Sequence, residues 1–163
     1  MKWGDLKIQV KHLLTMIDPP YFLVLHCSGN DIGSYDKSIK LMHIICFTIE
    51  VLWLMLPNTK LIWSQFMPRL KWHNERNHKA VNELAVRINS YIAKFMISNG
   101  GLYTRYPEII QSNVGMIDND KVHLSHLGID IFLYRLQQDL QVFITSDSKV
   151  SPPNGESGPW LYF

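Results

Sequence analysis

The sequence predicts an α/β domain in which a parallel sheet is flanked by helices on both faces. Helical and strand patterns alternate along the chain, and turn residues separate one element from the next. The first strand segment is an unbroken apolar run, which is typical of a strand buried on both faces of a sheet. A chain of 163 residues is long enough for one such domain with its own core.

The first half of the chain gives a helix, a strand and a second helix. Apolar residues keep helical spacing from Asp5 to Ile17, and the turn residues Asp18 to Pro20 end this helix. The first strand is predicted over residues 21–27, YFLVLHC. The second helix begins near Ser34 and is broken by PNT at residues 57–59.

The second half continues the alternation. The next strand is predicted over residues 60–67, KLIWSQFM, and Pro68 closes it. A long helix follows with one apolar stripe, and it ends at NGG, residues 99–101. Residues 102–106, LYTRY, are predicted as a short edge strand. A polar loop then leads to a last helix with Ser125 as its N-cap.

Composition and charge are those of a globular protein without a polyanionic partner. Hydrophobic residues make up 47% and charged residues 18% of the chain, and the formal net charge is +2. The region from Lys60 to Lys94 holds seven basic residues against Glu75 and Glu83, a local excess of +5. We interpret it as a solvated helix face rather than a nucleic-acid site, because the charges form no run and few aromatic residues interleave with them.

The domain is predicted to span residues 1–145, and the turn-rich residues 146–163 are predicted as a disordered tail. Cys27 and Cys46 both lie in apolar stretches, which favours buried reduced thiols. No signal-peptide pattern begins the sequence. The longest apolar stretch, Leu41 to Leu56, contains a His and a Glu and is shorter than the ~20 residues of a membrane span. We therefore expect a cytoplasmic protein without a membrane span.

Two short motifs carry the candidate chemistry. SGND, residues 28–31, follows the first predicted strand, where loops of α/β sheets bind ligands. DKVHLS, residues 120–125, precedes the last helix. In it the Asp120 carboxylate can hold one tautomer of His123 and leave the other ring nitrogen as a general base. The alternatives are an ordinary strand-to-helix turn closed by polar side chains and a polar loop before an N-cap.

A metal site is the other chemistry considered for the second motif. His123 and His126 lie close in sequence to Asp118 and Asp120. Their spacing matches no strong metal signature. We therefore expect neither a metal nor a cofactor.

Together the two motifs resemble those of the SGNH hydrolases, the GDSL-type lipases and esterases. VLHCSGNDIG resembles their third conserved block, usually Gly-x-Asn-Asp, and DKVHLSHLG resembles their fifth block, Asp-x-x-His. Between them, TKLIWSQFMPRLKW and AVNELAVRINSYI are similar to the domains of a largely fish group of SGNH-type proteins, some of them associated with retroelements. The resemblance covers roughly residues 1 to 145. It implies a three-layer α/β/α flavodoxin-like fold and hydrolysis of esters.

The resemblance also implies the role of three residues. Asn30 matches the block-three Asn whose amide donates to the oxyanion. His123 matches the general base, and Asp120 matches the carboxylate that orients it. The implied partner is a small ester or lipid-like substrate.

The sequence departs from the family pattern in two places. Ser28 stands where block three normally has its first Gly. The family nucleophile lies in a Gly-Asp-Ser motif after the first strand, whereas residues 3–6, WGDL, have Leu at the position of that Ser. We therefore expect an SGNH domain truncated at its amino end, lacking its first strand, and inactive as an isolated chain.

Four functions stay open. The chain is the greater part of an ester hydrolase whose serine is encoded upstream, or a degenerate member that binds an ester or lipid-like ligand without turnover. The basic region from Lys60 to Lys94 allows a retroelement-linked role on nucleic acid. An exposed sheet edge allows a structural interaction module. We favour the ester hydrolase as the family identity of the chain, and binding without turnover as the behaviour of the isolated polypeptide.

Overall fold

A computed structural model of the protein describes residues 2–27, 29–32, 38–72, 77–111 and 115–152. In chain order its elements are α1 (Trp3–Leu13), β1 (Phe22–Leu25), α2 (Ser38–Met55), β2 (Lys60–Ser64), α3 (His78–Ser98), β3 (Leu102–Thr104), α4 (Pro107–Gln111), α5 (His126–Thr145) and β4 (Val150–Ser151). The order of helices and strands follows the prediction, and two short elements, α4 and β4, are added to it.

The strands form one parallel sheet in the order β1-β2-β3-β4. Parallel neighbours need a crossover connection, and α2, α3 and α5 lie in the three connections. The carboxyl ends of β1, β2 and β3 therefore lie at one edge of the sheet. The predicted α/β class with a parallel sheet is confirmed.

Alternating side chains divide the core between the two faces of the sheet. On one face, Leu25, Trp63 and Tyr103 belong to a large cluster with residues of α1, α2 and α3. On the other face, Ile62 packs with Phe143 of α5. Because helices cover both faces, the domain has the predicted three layers.

Trp63 lies at the centre of the larger core. Its ring stacks on Trp3 with 5.5 Å between ring centroids, and the edge contact with Phe66 spans 5.3 Å. The indole Nε1 donates to Asn89 Oδ1 at 2.9 Å, and Asn89 Nδ2 donates to the Tyr103 hydroxyl at 2.8 Å. Every strong polar group in this chain of contacts has a partner, as buried polar groups require.

Helix α2 has 18 residues with a mean hydropathy of 1.6, enough in length and composition to cross a membrane. Core helices of globular domains share these properties. Ile45, Ile49 and Leu52 are completely buried in the large core, whereas Phe47 and Leu54 on other faces are exposed. The helix packs against α1 and α3.

Several boundaries differ from the prediction. Helix α1 runs from Trp3 to Leu13 rather than from Asp5 to Ile17, and β2 ends at Ser64 rather than at Met67. The predicted edge strand, β3, is an interior strand paired with both β2 and β4. The predicted start of α2 near Ser34 lies outside the described residues.

The largest difference concerns the predicted tail. Val150 and Ser151 form β4, which pairs with β3, so the part that was predicted to be disordered contributes a strand. Ser151 Oγ donates to Asp139 Oδ1 of α5 at 2.7 Å, and Thr104 Oγ1 of β3 donates to Asp139 Oδ2. Asp139 thus joins α5 to two strands. Residues 153–163 lie outside the described residues.

Candidate active site

The loop after β1 is a tight turn that separates two polar side chains. Ile32 N donates to Gly29 O at 3.0 Å, which closes the turn around Asn30 and Asp31. Asp31 is buried, and its Oδ2 accepts the backbone N–H of Trp3 at 2.9 Å, so it caps α1. Asn30 is exposed. The same loop is therefore both a tight turn after β1 and the segment that carries the candidate site residue Asn30.

Arg69 fixes the orientation of the Asn30 amide. Arg69 Nη2 donates to Asn30 Oδ1 at 2.9 Å. A guanidinium has only donors, so the carbonyl end of the amide faces Arg69 and the NH2 end is turned the other way. Asn30 is thus set as a hydrogen-bond donor, which is what stabilisation of an oxyanion requires.

Arg69 is itself held by two neighbours. Asn82 Nδ2 donates to Arg69 O at 2.8 Å, and Asn82 Oδ1 accepts from Trp72 Nε1 at 3.1 Å. The guanidinium lies 4.9 Å from the centre of the Trp72 ring. Burial lowers the pKa of Arg69, and the nearby Asp120 carboxylate raises it. Unlike the solvated residues predicted for the basic region, Arg69 is buried.

Asp120 organises the loop that carries His123. Its Oδ1 accepts the backbone N–H groups of Val122 at 2.8 Å and His123 at 2.9 Å, and its Oδ2 lies 2.5 Å from His123 Nδ1. Such local bonds are the reason why Asp initiates turns. Because a carboxylate accepts, Nδ1 carries the proton and Nε2 keeps its lone pair. The His123 side chain is 77% exposed, so a ligand can reach it.

The pKa of Asp120 gives a testable pH dependence. The backbone hydrogen bonds from His123 and Val122, together with the side-chain hydrogen bond from His123, lower this pKa to about 2. Because the ionised Asp120 carboxylate accepts these bonds, the stabilisation of the turn is fully present above the ordinary pKa of a carboxyl group. It is lost as the pH falls through about 2. We expect the backbone amide resonances of both residues to move with a midpoint near that pH in an NMR titration. Asp120→Asn should abolish the transition, and a midpoint at about 4 would show that the bonds are absent.

The loop of Asp120 and His123 is attached to the segment that holds Arg69. The backbone N–H groups of Leu70 and Lys71 both donate to Lys121 O at 3.0 Å. Lys121 has a φ of 65°, in the left-handed region that residues other than Gly rarely adopt. The donor end of Asn30 and the Asp120–His123 pair are therefore fixed to the same segment, residues 69–71.

The base of this loop is set by the start of α5. Ser125 is the predicted N-cap: its Oγ accepts the Gly128 N–H at 3.1 Å and donates to Gly115 O at 2.5 Å. A Cβ on Gly128 would lie 2.3 Å from the backbone oxygen of Met116. Only Gly allows this close approach of helix and loop.

Gly128→Ala is accordingly expected to displace the loop and lower the free energy of unfolding by about 1–3 kcal/mol. The matched control is Gly4→Ala in α1, where no atom lies within 4 Å of the added methyl group. Here the gain in helix propensity should stabilise the protein by about 0.5–1 kcal/mol. Denaturant unfolding of both variants measures the difference, and effects of the same sign would refute the close-approach interpretation.

Three further side chains are candidate nucleophiles, and their surroundings do not suit that role. Ser64 Oγ lies 2.8 Å from His26 Nδ1 and 2.9 Å from the Tyr106 hydroxyl, but Ser64 is 1% exposed, so a substrate cannot reach it. Cys27 and Cys46 are free thiols, and burial raises the pKa of each to about 11. Thiols with such pKa values are poor nucleophiles.

The three site residues predicted from the sequence all connect to one segment of the chain. Asn30, Asp120 and His123 are connected through the segment 69–71. Ser28 lies outside the described residues. Within the described ranges no group of three or more His, Cys, Asp or Glu side chains is arranged to hold a metal ion. Arg69 and Asn82 are additions to the predicted site. Arg69 lies in an irregular segment and contacts Asn30 39 positions away, and Asn82 is a polar residue of α3 whose contacts with residues 69 and 72 depend on the packing of that segment.

Comparison with known proteins identifies the fold. No family model and no curated protein match the sequence. Among solved structures, the chain is similar to a GDSL-like lipase from Bacteroides thetaiotaomicron VPI-5482, with a TM-score of 0.67 and 17% identity over 85% of this chain and 68% of that one. It is also similar to a candidate acylhydrolase from Bacteroides fragilis NCTC 9343, with a TM-score of 0.63 and 15% identity over 87% and 69%. The predicted SGNH-type fold is therefore shown.

Proposed function

We propose that the chain carries the oxyanion-donor and general-base part of an SGNH-type ester hydrolase site. Asn30 is the donor, His123 is the base, and Asp120 orients the imidazole. The observation that carries this proposal is the common attachment of both parts to residues 69–71, with the amide and the imidazole each held in a defined orientation. The fold shared with a GDSL-like lipase supports it.

In this mechanism His123 Nε2 accepts the proton of a hydroxyl group or water as its oxygen attacks the ester carbonyl carbon. The electron pair of the carbonyl π bond moves to the oxygen, which accepts a hydrogen bond from the Asn30 NH2 group. Asp120 stabilises the imidazolium. When the carbonyl re-forms, the bond to the alkoxide breaks and the imidazolium returns the proton to it.

The attacking group is the part of the mechanism that the described residues do not supply. In the part of the chain that the structure describes, no serine hydroxyl is hydrogen-bonded to His123, and Ser64 and Ser125 have other partners. A serine like that of the family's Gly-Asp-Ser motif would come from outside these 163 residues. We therefore infer slow hydrolysis by activated water for this chain alone. The same observation favours the alternative of a site that binds an ester without turnover.

Hydrolysis of p-nitrophenyl acetate tests the proposal. We expect His123→Asn to lower the protein-dependent rate by about tenfold or more, because general-base catalysis contributes about 10²–10⁴ in complete sites. The matched control, His12→Asn, removes an exposed imidazole from α1 and should leave the rate unchanged. Equal effects of the two changes would leave only the binding alternative.

A fluorophosphonate probe tests the nucleophile separately. Such probes react with a serine that is activated as in serine hydrolases. We expect no labelling of this chain under conditions that label an active serine esterase. Labelling of any serine would replace the water mechanism with an acyl-enzyme mechanism.

A further inference from the structure

A cleft opens beside the Asp120–His123 pair. It has a volume of about 480 Å³ and is lined by Leu70, Lys71, His78, Asn119, Asp120 and Lys121. This volume is within the ~300–1,000 Å³ typical of small-molecule sites. Asp120 belongs to both the cleft lining and the pair, so the cleft adjoins the carboxylate that holds His123 Nδ1.

Among the described residues, the cleft lining carries more positive than negative charge. Lys71 and Lys121 line it together with one carboxylate, that of Asp120, which is hydrogen-bonded to His123. Within the described ranges neither lysine has an ion pair with a carboxylate. The neighbouring Asp118 carboxylate accepts the Asn119 N–H at 2.7 Å. The described lining residues therefore carry two positive charges and one negative charge, and the Asp118 carboxylate is not among them.

A backbone hydrogen bond joins the two segments that carry Lys71 and Lys121. Lys121 adopts its left-handed conformation while its carbonyl accepts the N–H group of Lys71. Unfavourable backbone conformations of this kind cluster at binding and catalytic sites. On the remaining wall, Trp72 N donates to His78 Nδ1 at 3.1 Å, so the neutral imidazole of His78 carries its proton on Nε2 as a hydrogen-bond donor.

We propose that this cleft receives the carboxylate of an ester that carries a negative charge, with Lys71 and Lys121 as its cationic partners and His78 as a further donor. The inference rests on the proposed function, since it names the substrate class of the same site. It also gives one residue of the basic excess between Lys60 and Lys94 a function, since Lys71 comes from this region. The cleft volume suits a small organic anion.

Two matched esters test this inference. Monomethyl glutarate and methyl valerate differ only in a terminal carboxylate in place of a methyl group. We expect NMR titrations at low salt to show about fivefold to tenfold tighter binding of monomethyl glutarate, the range expected for two exposed charge pairs. The preference should decrease as salt screens the charges. Equal affinities, or tighter binding of methyl valerate, would overturn the inference.

Charge-removing variants locate the effect. The double change Lys71→Gln and Lys121→Asn removes both charges, and Asn tolerates the left-handed conformation at that position. It should abolish the preference for monomethyl glutarate. Lys11→Gln, an exposed lysine of α1, controls for net charge and should retain the preference. A preference that survives the double change would place the anion elsewhere and refute the inference.

Failure of this inference and failure of the proposed function are distinguishable. If His123→Asn does not slow ester hydrolysis but the lysine-dependent preference is measured, the cleft is an anion site and the hydrolase proposal is wrong. If hydrolysis depends on His123 without an anion preference, only the substrate inference is wrong. Competition with a polyanion is a further test of the substrate inference. If a single-stranded oligonucleotide displaces monomethyl glutarate from Lys71 and Lys121 at a lower concentration than free phosphate does, the cleft is part of a polyanion surface and the substrate inference is wrong.

Discussion

Trp63→Ala is expected to lower the free energy of unfolding by about 3–5 kcal/mol, the usual cost of removing a large aromatic side chain from a core. Trp63 is completely buried at the centre of the sheet, where its ring contacts Trp3 and Phe66. The change leaves a cavity between β2 and α1 and removes the donor to Asn89 Oδ1. Denaturant unfolding followed by far-UV circular dichroism measures the loss.

Two controls separate the cavity from the hydrogen bond. Trp63→Phe keeps most of the ring, and Asn89 Oδ1 still accepts the Phe66 N–H at 3.3 Å, so we expect a smaller loss of about 1–2 kcal/mol. Leu54→Ala removes an apolar side chain that is 83% exposed and should change stability by less than about 0.5 kcal/mol. A loss for Trp63→Ala as small as that for Leu54→Ala would contradict the position of Trp63 in the core.

The second large effect is expected at Asp139. This carboxylate is completely buried and accepts hydrogen bonds from Thr104 of β3 and Ser151 of β4. Asp139→Leu leaves two buried hydroxyl groups without their acceptor, and each orphaned group costs about 1–3 kcal/mol. We therefore expect a total loss of about 2–6 kcal/mol, measured by denaturant unfolding. Separation of β4 from the sheet is detected by hydrogen exchange at Arg105 N, which donates to Ser151 O.

Asp139→Asn is the matched variant that retains shape and one acceptor. Burial raises the pKa of Asp139 above its ordinary value. A raised carboxyl pKa means that the folded state binds the proton more tightly, so stability falls as the pH rises from the ordinary to the raised value. The variant lacks this penalty. We expect it to be less stable than the wild type at low pH and to approach it as the pH rises, whereas a constant difference would show that Asp139 does not titrate.

The sequence predicts those features that are encoded by neighbouring residues. The unbroken run from Tyr21 to Cys27 predicts β1, and Ser125 is recognisable as a cap because it immediately precedes the apolar stripe of α5. The pair of Asp120 and His123 is found for the same reason, since the hydrogen bonds that shape it join residues two and three positions apart.

Features that depend on contacts between distant segments were not predicted. Arg69 contacts Asn30 across 39 positions, and it lies in a segment without helical or strand periodicity. Strand β4 has two residues, too few for a pattern, and its place in the sheet depends on Asp139 in a helix twelve positions earlier. Only the packed structure shows that this acidic residue is buried rather than solvated.

Cooperation between Asn30 and His123 on one carbonyl group is the central claim, and a double-mutant cycle on p-nitrophenyl acetate hydrolysis measures it directly. The four proteins are the wild type, Asn30→Ala, His123→Asn and the double variant. If both residues serve one site, their effects are non-additive, and the double variant should hydrolyse the ester as slowly as His123→Asn alone. If the two rate reductions multiply, or if His123→Asn has no effect, Asn30 and His123 do not form one hydrolytic site.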